Sequence, residues 1–223
     1  MQIEELTDRL MALDTACVCD ADKGLQVKLR VLDSGIRPLQ TGLKLVGRAH
    51  TVTCRDDFLT VIKALRDAQP GEVIVIDSQG SNKALTGEIF PTEAMRKGLA
   101  GIVNDGPCRD TALVRTMSIP CYARTVSPVP GTSNQLFETQ IPITCGGVTV
   151  NPGDILFGDD DGVIVASTDQ LAEIVPLAEE IQRQENRLQQ RMAEGASFLD
   201  MLNFEQHCAA IESGEPSALE FRV

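Results

Sequence analysis

An α/β fold with a largely buried sheet is what this chain predicts, and three observations carry the prediction. Short apolar runs bounded by turn residues, VGRAHTVTC (46–54), EVIVID (72–77), GIV (101–103) and IPCYAR (119–124), alternate with stretches whose apolar residues recur at helical spacing. Strands alternating with short helices imply crossover connections in one sheet. The second half changes character: strand-like runs over 134–167 are punctuated by Gly146-Gly147, Asn151-Pro152-Gly153 and Asp161-Gly162, a pattern of antiparallel hairpins. A long helical pattern then starts at Ser167-Thr168-Asp169-Gln170, which reads as a capping box.

Taken in order, residues 3–13 (IEELTDRLMAL) have the apolar spacing of a helix, and Thr15 to Ala21 begin a second. A turn-rich stretch leads to the strand at 46–54. Helix 57–68 puts Phe58, Val61, Ile62 and Leu65 on one face and is ended by Pro70-Gly71. After the strand at 72–77 come a helix at about 88–97, the strand at 101–103, a short helix from Asp110 to Thr116, and the strand at 119–124. Asp105-Gly106 reads as a turn at a strand end, and the helix start that follows makes this a plausible ligand-binding edge. The long helix carries Leu171, Ile174, Val175, Ala178, Ile181, Leu188 and Met192, with Pro176 inside it predicting a kink or a break. Beyond Ile181 the run QRQENRLQQR is nearly all polar and is expected to project or to meet a neighbouring subunit. Residues 1–195 are expected to form one domain and 196–223 a tail packing on a neighbour, because SFLDML (197–202), Leu219, Phe221 and Val223 would leave apolar groups exposed on a monomer.

At 223 residues the chain is long enough to bury a proper core. Its net charge of −12 argues against nucleic acid as a partner and against an anionic membrane surface. No apolar run approaches the roughly 18 residues of a membrane span, and MQIEELTDRL lacks the basic and apolar regions of a signal peptide, so a cytoplasmic location is expected. Seven cysteines without framework spacing read as small apolar residues in a reducing compartment. Cys17-Val18-Cys19 has no second Cys/His pair at zinc-finger spacing, and neither His50 nor His207 neighbours a second ligand type.

The chemistry concentrates in GEIFPTEAMRKGLAGIVNDGPCRD (87–110), where twenty residues, about one helix and one strand, separate Glu88 from Arg109-Asp110. That connection can return the chain to the same sheet edge, so two acids and an arginine converge. Such a set suits a divalent metal and a small anionic substrate. A guanidinium at Arg109 can grip a carboxylate or an enolate oxygen. Gly87, Glu88, Ile89 and Phe90 would open a helix with unpaired N–H groups, a ready site for a substrate carboxylate. Asp110 has a simpler reading as the N-cap acid of the 110–116 helix. Cys108 is read as packing, Asp105 as a turn residue that could join the site, and Asp159-Asp160-Asp161 as structural because the loop lacks the length and terminal Glu of an EF-hand. Lys83 and Lys97 lie near the motif, but nothing marks either as a Schiff-base lysine.

This segment resembles the family that includes the regulator of ribonuclease activity A and the 4-hydroxy-4-methyl-2-oxoglutarate aldolases. The resemblance rests on Gly87-Glu88, the twenty-residue gap and the DGxxRD string Asp105 to Asp110, and continues into VSPVPGTSNQ (126–135) and CGGVTVNPGDILFGDDDGVIV (145–165). It implies an α-β-β-α sandwich resembling the phosphohistidine swivelling domain, with a C-terminal helical extension, assembled as a homotrimer or homohexamer. It further implies magnesium or manganese on Asp110, substrate binding by residues 87–90 with Arg109, and Glu88 holding waters or shuttling protons. The implied activity is cleavage of a 4-hydroxy-2-oxo acid to pyruvate, with oxaloacetate decarboxylation through the same enolate. The rival implied by the same resemblance is a non-catalytic protein that inhibits an endoribonuclease.

Overall fold

A central eight-stranded sheet forms because its strands are apolar on both faces. The computed structural model describes residues 3–222; Val223 lies outside the described residues. The chain begins with helices Ile3–Ala12 (α1) and Thr15–Leu25 (α2), then short strands Arg30–Val31 (β1) and Arg37–Pro38 (β2). Leu45–Thr53 (β3), helix Leu59–Asp67 (α3), Glu72–Asp77 (β4), helix Ile89–Arg96 (α4), Gly101–Cys108 (β5), helix Thr111–Val114 (α5) and Cys121–Val126 (β6) follow. Two hairpins come next, Ile143–Cys145 (β7) with Val148–Val150 (β8), and Ile155–Gly158 (β9) with Val163–Ala166 (β10). Helix Thr168–Ala193 (α6), a 3-10 turn at Leu199–Met201 and helix Phe204–Glu212 (α7) complete the chain.

The sheet order is β1-β10-β9-β3-β4-β5-β6-β2, with β3 to β6 parallel and the flanking strands antiparallel. Alternate residues build different cores, as strand geometry requires. Ile74, Ile76 and Ile102 face α3 and α4, whereas Ile155, Phe157 and Ile164 face α1, α2 and α6. The opposite side of β3, β4, β5, β9 and β10 contributes to one inner core of Leu45, Val73, Val75, Val103, Leu156 and Val163, joined by Ile143 and Val150 of the small hairpin. The sheet curls around that inner core, so Tyr122 of β6 donates its hydroxyl to the Asp159 carbonyl beyond β9 at 2.9 Å. The result is helix, sheet, sheet, helix. Each fully buried large apolar side chain contributes roughly 1.5–3 kcal/mol, and this three-part core is what holds the layers together.

Several expectations change. The strand at 101–103 runs on to Cys108, and Asp105-Gly106 lies inside it beside a register shift between Asn104 and Pro107. Gly106 is needed for close packing, since a Cβ there would sit 2.6 Å from Ser78 Oγ. Helix α6 runs unbroken through Pro176, whose cost of about 3 kcal/mol is outweighed where Leu171, Ile174, Val175 and Ala178 are all buried. The capping box is present, with Gln170 N–H on Ser167 Oγ at 3.2 Å and Ser167 N–H on Gln170 at 3.0 Å. Strands β1 and β2 and helix α7 carry no periodic signal strong enough to announce them. In the tail, Phe198, Leu199, Leu219 and Phe221 are exposed as expected, but Met201 and Leu202 are buried. Asn203 ties this tail to Ala218 and Glu220 by hydrogen bonds of 3.0 and 2.8 Å.

Candidate functional site

The site forms where residues 84–88, between β4 and α4, pass between the end of β5 and the 127–131 loop. Ala84 N–H bonds Val129 O at 2.7 Å and Gly131 N–H bonds Ala84 O at 3.1 Å. On the other side Arg109 N–H reaches Thr86 O at 3.1 Å, and Thr86 pairs with Cys108. Asn104, buried at the register shift, spans the gap by donating to Thr86 Oγ1 at 3.2 Å and Pro107 O at 2.9 Å. These bonds set Gly87 directly against Arg109-Asp110. A Cβ at position 87 would lie 2.5 Å from Asp110 Oδ2 and 2.9 Å from Arg109 Cγ, so only glycine permits this approach.

Asp110 precedes α5 with φ 53°, a left-handed backbone, and its side chain makes no capping hydrogen bond. The simple N-cap reading therefore does not account for the carboxylate. Instead Asp110 Oδ2 pairs with Arg109 Nε at 3.1 Å, both side chains remaining well exposed at 38% and 40%. Glu88 occupies the residue before α4, and its Oε2 is buried without a hydrogen-bond partner. The Cys108 thiol is pushed up first by burial and further by the charges of Asp110 and Glu88. That thiol is held protonated, as a packing role requires. Phe90 N–H turns back onto Gly87 O at 3.2 Å, while its ring packs edge-on against Phe58 with centroids 6.0 Å apart. Ile89 is 67% exposed.

The remaining candidates fall elsewhere. Asp105 is drawn into a clamp in which it pairs with Arg124 Nε and accepts Gly146 N–H at 2.7 Å, while Arg124 also holds Asp33 at 2.7 Å. Arg124 gave no signal in the sequence, because its partners lie 91 and 19 residues away. Asp159 accepts the Thr15 N–H and hydroxyl at 2.8 and 2.7 Å, and Asp160 accepts Gly42 N–H at 2.9 Å, so the acidic run is structural. Lys97 donates to Leu65, Arg66 and Ala68 carbonyls at 2.6–2.8 Å, an ammonium locked onto the end of α3. Lys83 lies 3.9 Å from Asp56. Asp14, Cys17 and Glu185 come within 4.8 Å of one another between α2 and α6, away from Asp110. There Asp14 caps α2 through Cys17 N–H at 2.7 Å. Arg109 lines two cavities, one of about 320 Å³ beside Cys108, Asp110 and Ser127, and one of about 540 Å³ between α3 and α4. The larger one was not foreseen, since its walls come from segments up to 72 residues apart, from Phe58 to Pro130.

Residues 15–165 match the RraA-like family (Aldolase/RraA). The chain belongs to this family. An RraA-like relative from Halalkalibacterium halodurans, provisionally named a 4-hydroxy-4-methyl-2-oxoglutarate aldolase, is 36% identical over 172 residues, 76% of this chain and 80% of its own. Among solved RraA-like structures, RraAS2 of Streptomyces coelicolor, described as an unusual member of the RNase ES inhibitor RraA family, aligns with a TM-score of 0.73 and 30% identity over 84% of this chain and 98% of its own. The RNA-processing inhibitor RraA from Thermus thermophilis aligns with a TM-score of 0.62 and 29% identity over 67% of this chain and 91% of its own. The matched segment contains every residue from Gly87 to Asp110 that the site brings together.

Proposed function

We propose that this RraA-like protein is a divalent-metal-dependent lyase that cleaves a 4-hydroxy-2-oxo acid to pyruvate and a second oxo compound. The observation that carries the reading is the uncapped Asp110 carboxylate held against Gly87 and Arg109, with the buried, unpartnered Glu88 oxygen nearby. An acid released from capping and an orphaned carboxylate oxygen fit a magnesium or manganese ion that keeps most of its waters, with Asp110 as direct ligand and Glu88 behind it. When bound, that ion supplies a Lewis acid for the 2-oxo group.

The chain's own residues do the rest. N–H groups at the start of α4, from Gly87 to Ile89, suit the substrate carboxylate. Glu88 takes the proton from the C4 hydroxyl, directly or through water, and the C3–C4 bond breaks. The electron pair flows into a pyruvate enolate, whose negative oxygen Arg109 stabilises. Protonation at C3 gives pyruvate. Oxaloacetate would lose carbon dioxide through the same enolate. The name of the Halalkalibacterium halodurans relative supports this reading.

The names of the two RraA structures support a second reading, a non-catalytic inhibitor of an endoribonuclease. Pyruvate release from a panel of 4-hydroxy-2-oxo acids, with and without chelator, separates them. An enzyme loses activity on chelation and regains it with magnesium or manganese. Absence of pyruvate from every substrate, with ribonuclease inhibition intact in chelator, would refute the lyase.

A further inference from the structure

We infer that Asn104 is a positioning residue of the Asp110 site, fixing the two halves of that site at their working separation. The role rests on the proposed lyase function and deepens it. The two halves come from different segments, Gly87-Glu88 ahead of α4 and Arg109-Asp110 after β5. No strand ladder among the described residues joins them. The backbone supplies an isolated bridge of Thr86 with Cys108 and the Arg109 N–H bond to Thr86 O at 3.1 Å. Asn104 adds a side-chain link. It is 1% exposed, and its amide donates at 3.2 Å to Thr86 Oγ1, just before Gly87, and at 2.9 Å to Pro107 O, just ahead of Cys108-Arg109.

Asn104 also stands where the strand is irregular. From Asn104 to Pro107 β5 takes three steps while its β6 partners, Ala123 to Thr125, take two, so β5 carries an extra residue shortly before Arg109. An extra residue of this kind bends its strand and re-aims the side chains around it. Pro107 has no N–H with which to hold the bulge to a neighbour, and the bond from Asn104 to its carbonyl spans the bulge instead. The amide has one usable orientation, since turning it over would set its oxygen against the Pro107 carbonyl. Held that way, Oδ1 is buried with no partner among the described residues, and a Cβ on Gly106 would lie 3.2 Å from it. Two bonds made and one oxygen stranded leave little net stabilisation. What the amide sets is a distance. Where groups from both segments must meet one substrate, misplacement by about 1 Å can cost roughly a hundredfold in rate.

The test uses the full-length protein, with oxaloacetate decarboxylation in magnesium for turnover and calorimetry with magnesium alone for the site. Asn104→Ala removes both bonds, and the nearly isosteric Thr86→Val removes only the one towards Gly87. In each, kcat per folded protein should fall at least about tenfold with KM changed less, and magnesium should bind several-fold more weakly. The double variant should be no worse than Asn104→Ala, because both changes cut the same link. Wild-type kcat and magnesium affinity in either variant, or losses that add in the double variant, overturn the inference. A residue that only packs gives the first of these results, whatever it does to the urea midpoint. Thr86→Val keeps the test decisive if Asn104→Ala fails to fold. If Asp110→Ala abolishes turnover while Asn104→Ala spares it, the positioning role alone is wrong. If wild type shows no Asp110-dependent turnover, the lyase proposal fails and this role with it.

Discussion

Asp110 holds a left-handed backbone, φ 53°, that costs a non-glycine residue about 1 kcal/mol, and the carboxylate recovers none of it by capping α5. Replacing it separates structure from chemistry. Asp110→Gly should leave the melting temperature unchanged or raised while pyruvate release falls by a factor of about a hundred or more, the scale of losing a preorganised charge at a reacting centre. Near-normal turnover in that variant would remove Asp110 from the proposed metal. Gly87 makes the complementary case. In Gly87→Ala the new methyl would press on Asp110 Oδ2 at 2.5 Å, and a flexible carboxylate end yields before the backbone does. The fold should survive, with magnesium affinity reduced at least about tenfold in a calorimetric titration; unchanged affinity would mean that the close approach has no role in positioning Asp110. The sequence marked Gly87, Glu88, Arg109 and Asp110 by their spacing together with the family resemblance that this spacing carries. It could not mark the conformation of Asp110, since nothing in a one-letter string reports a φ angle.

At the level of elements, the loop after β6 is tied to α3 through one buried acid. Asp57 accepts Leu59 N–H at 2.9 Å, Thr132 Oγ1 at 2.6 Å, and the N–H groups of Asn134 and Gln135 at 2.6 and 3.1 Å. Burial by itself would raise its pKa, but the Thr132 hydroxyl and the Asn134, Leu59 and Gln135 N–H groups outweigh burial and hold it below its ordinary 3.8. A depressed carboxylate contributes stability above its unfolded pKa of about 4 and loses it as pH falls through the lower folded value. Asp57→Ala should therefore cost roughly 3 kcal/mol at pH 7, since it strands several donors, and the gap from wild type in urea midpoint should narrow only below about pH 4. A gap independent of pH down to 2 would show that ionisation of Asp57 is not what holds the loop. The apolar run at 72–77, bounded by turn residues, and the helical periodicity that starts at 168 were legible from the chain. The two-residue strands β1 and β2 were not, because pairing with β10 and β6 makes them strands, not their own composition. Asp105-Gly106 misled for a related reason: a common turn dipeptide sits within a strand because Gly106 packs on Ser78.

For the whole molecule, the layered α/β order followed from strand and helix alternation, while the curl around the inner core, which brings Tyr122 to the Asp159 carbonyl, joins residues too far apart in the chain to be read from it. We propose that the polar half of α6 and the tail exposing Phe198, Leu199, Leu219 and Phe221 meet a neighbouring subunit in an oligomer, which the family resemblance makes a trimer or hexamer. Deleting residues from Ser197 onward should lower the assembled mass in light scattering and reduce activity although Arg109 and Asp110 remain. A monomeric mass for the intact protein at micromolar concentration would rule this out. The thread of residues 84–86 between 108–109 and 129–131 carries one more consequence, in the time domain. The amides of Ala84, Arg109, Ser127 and Gly131 each close on a neighbouring segment of the same thread, so none can open without disturbing the next. In hydrogen–deuterium exchange they should behave as one cooperative unit with a shared opening rate, and a ligand gripping any wall should slow all four together.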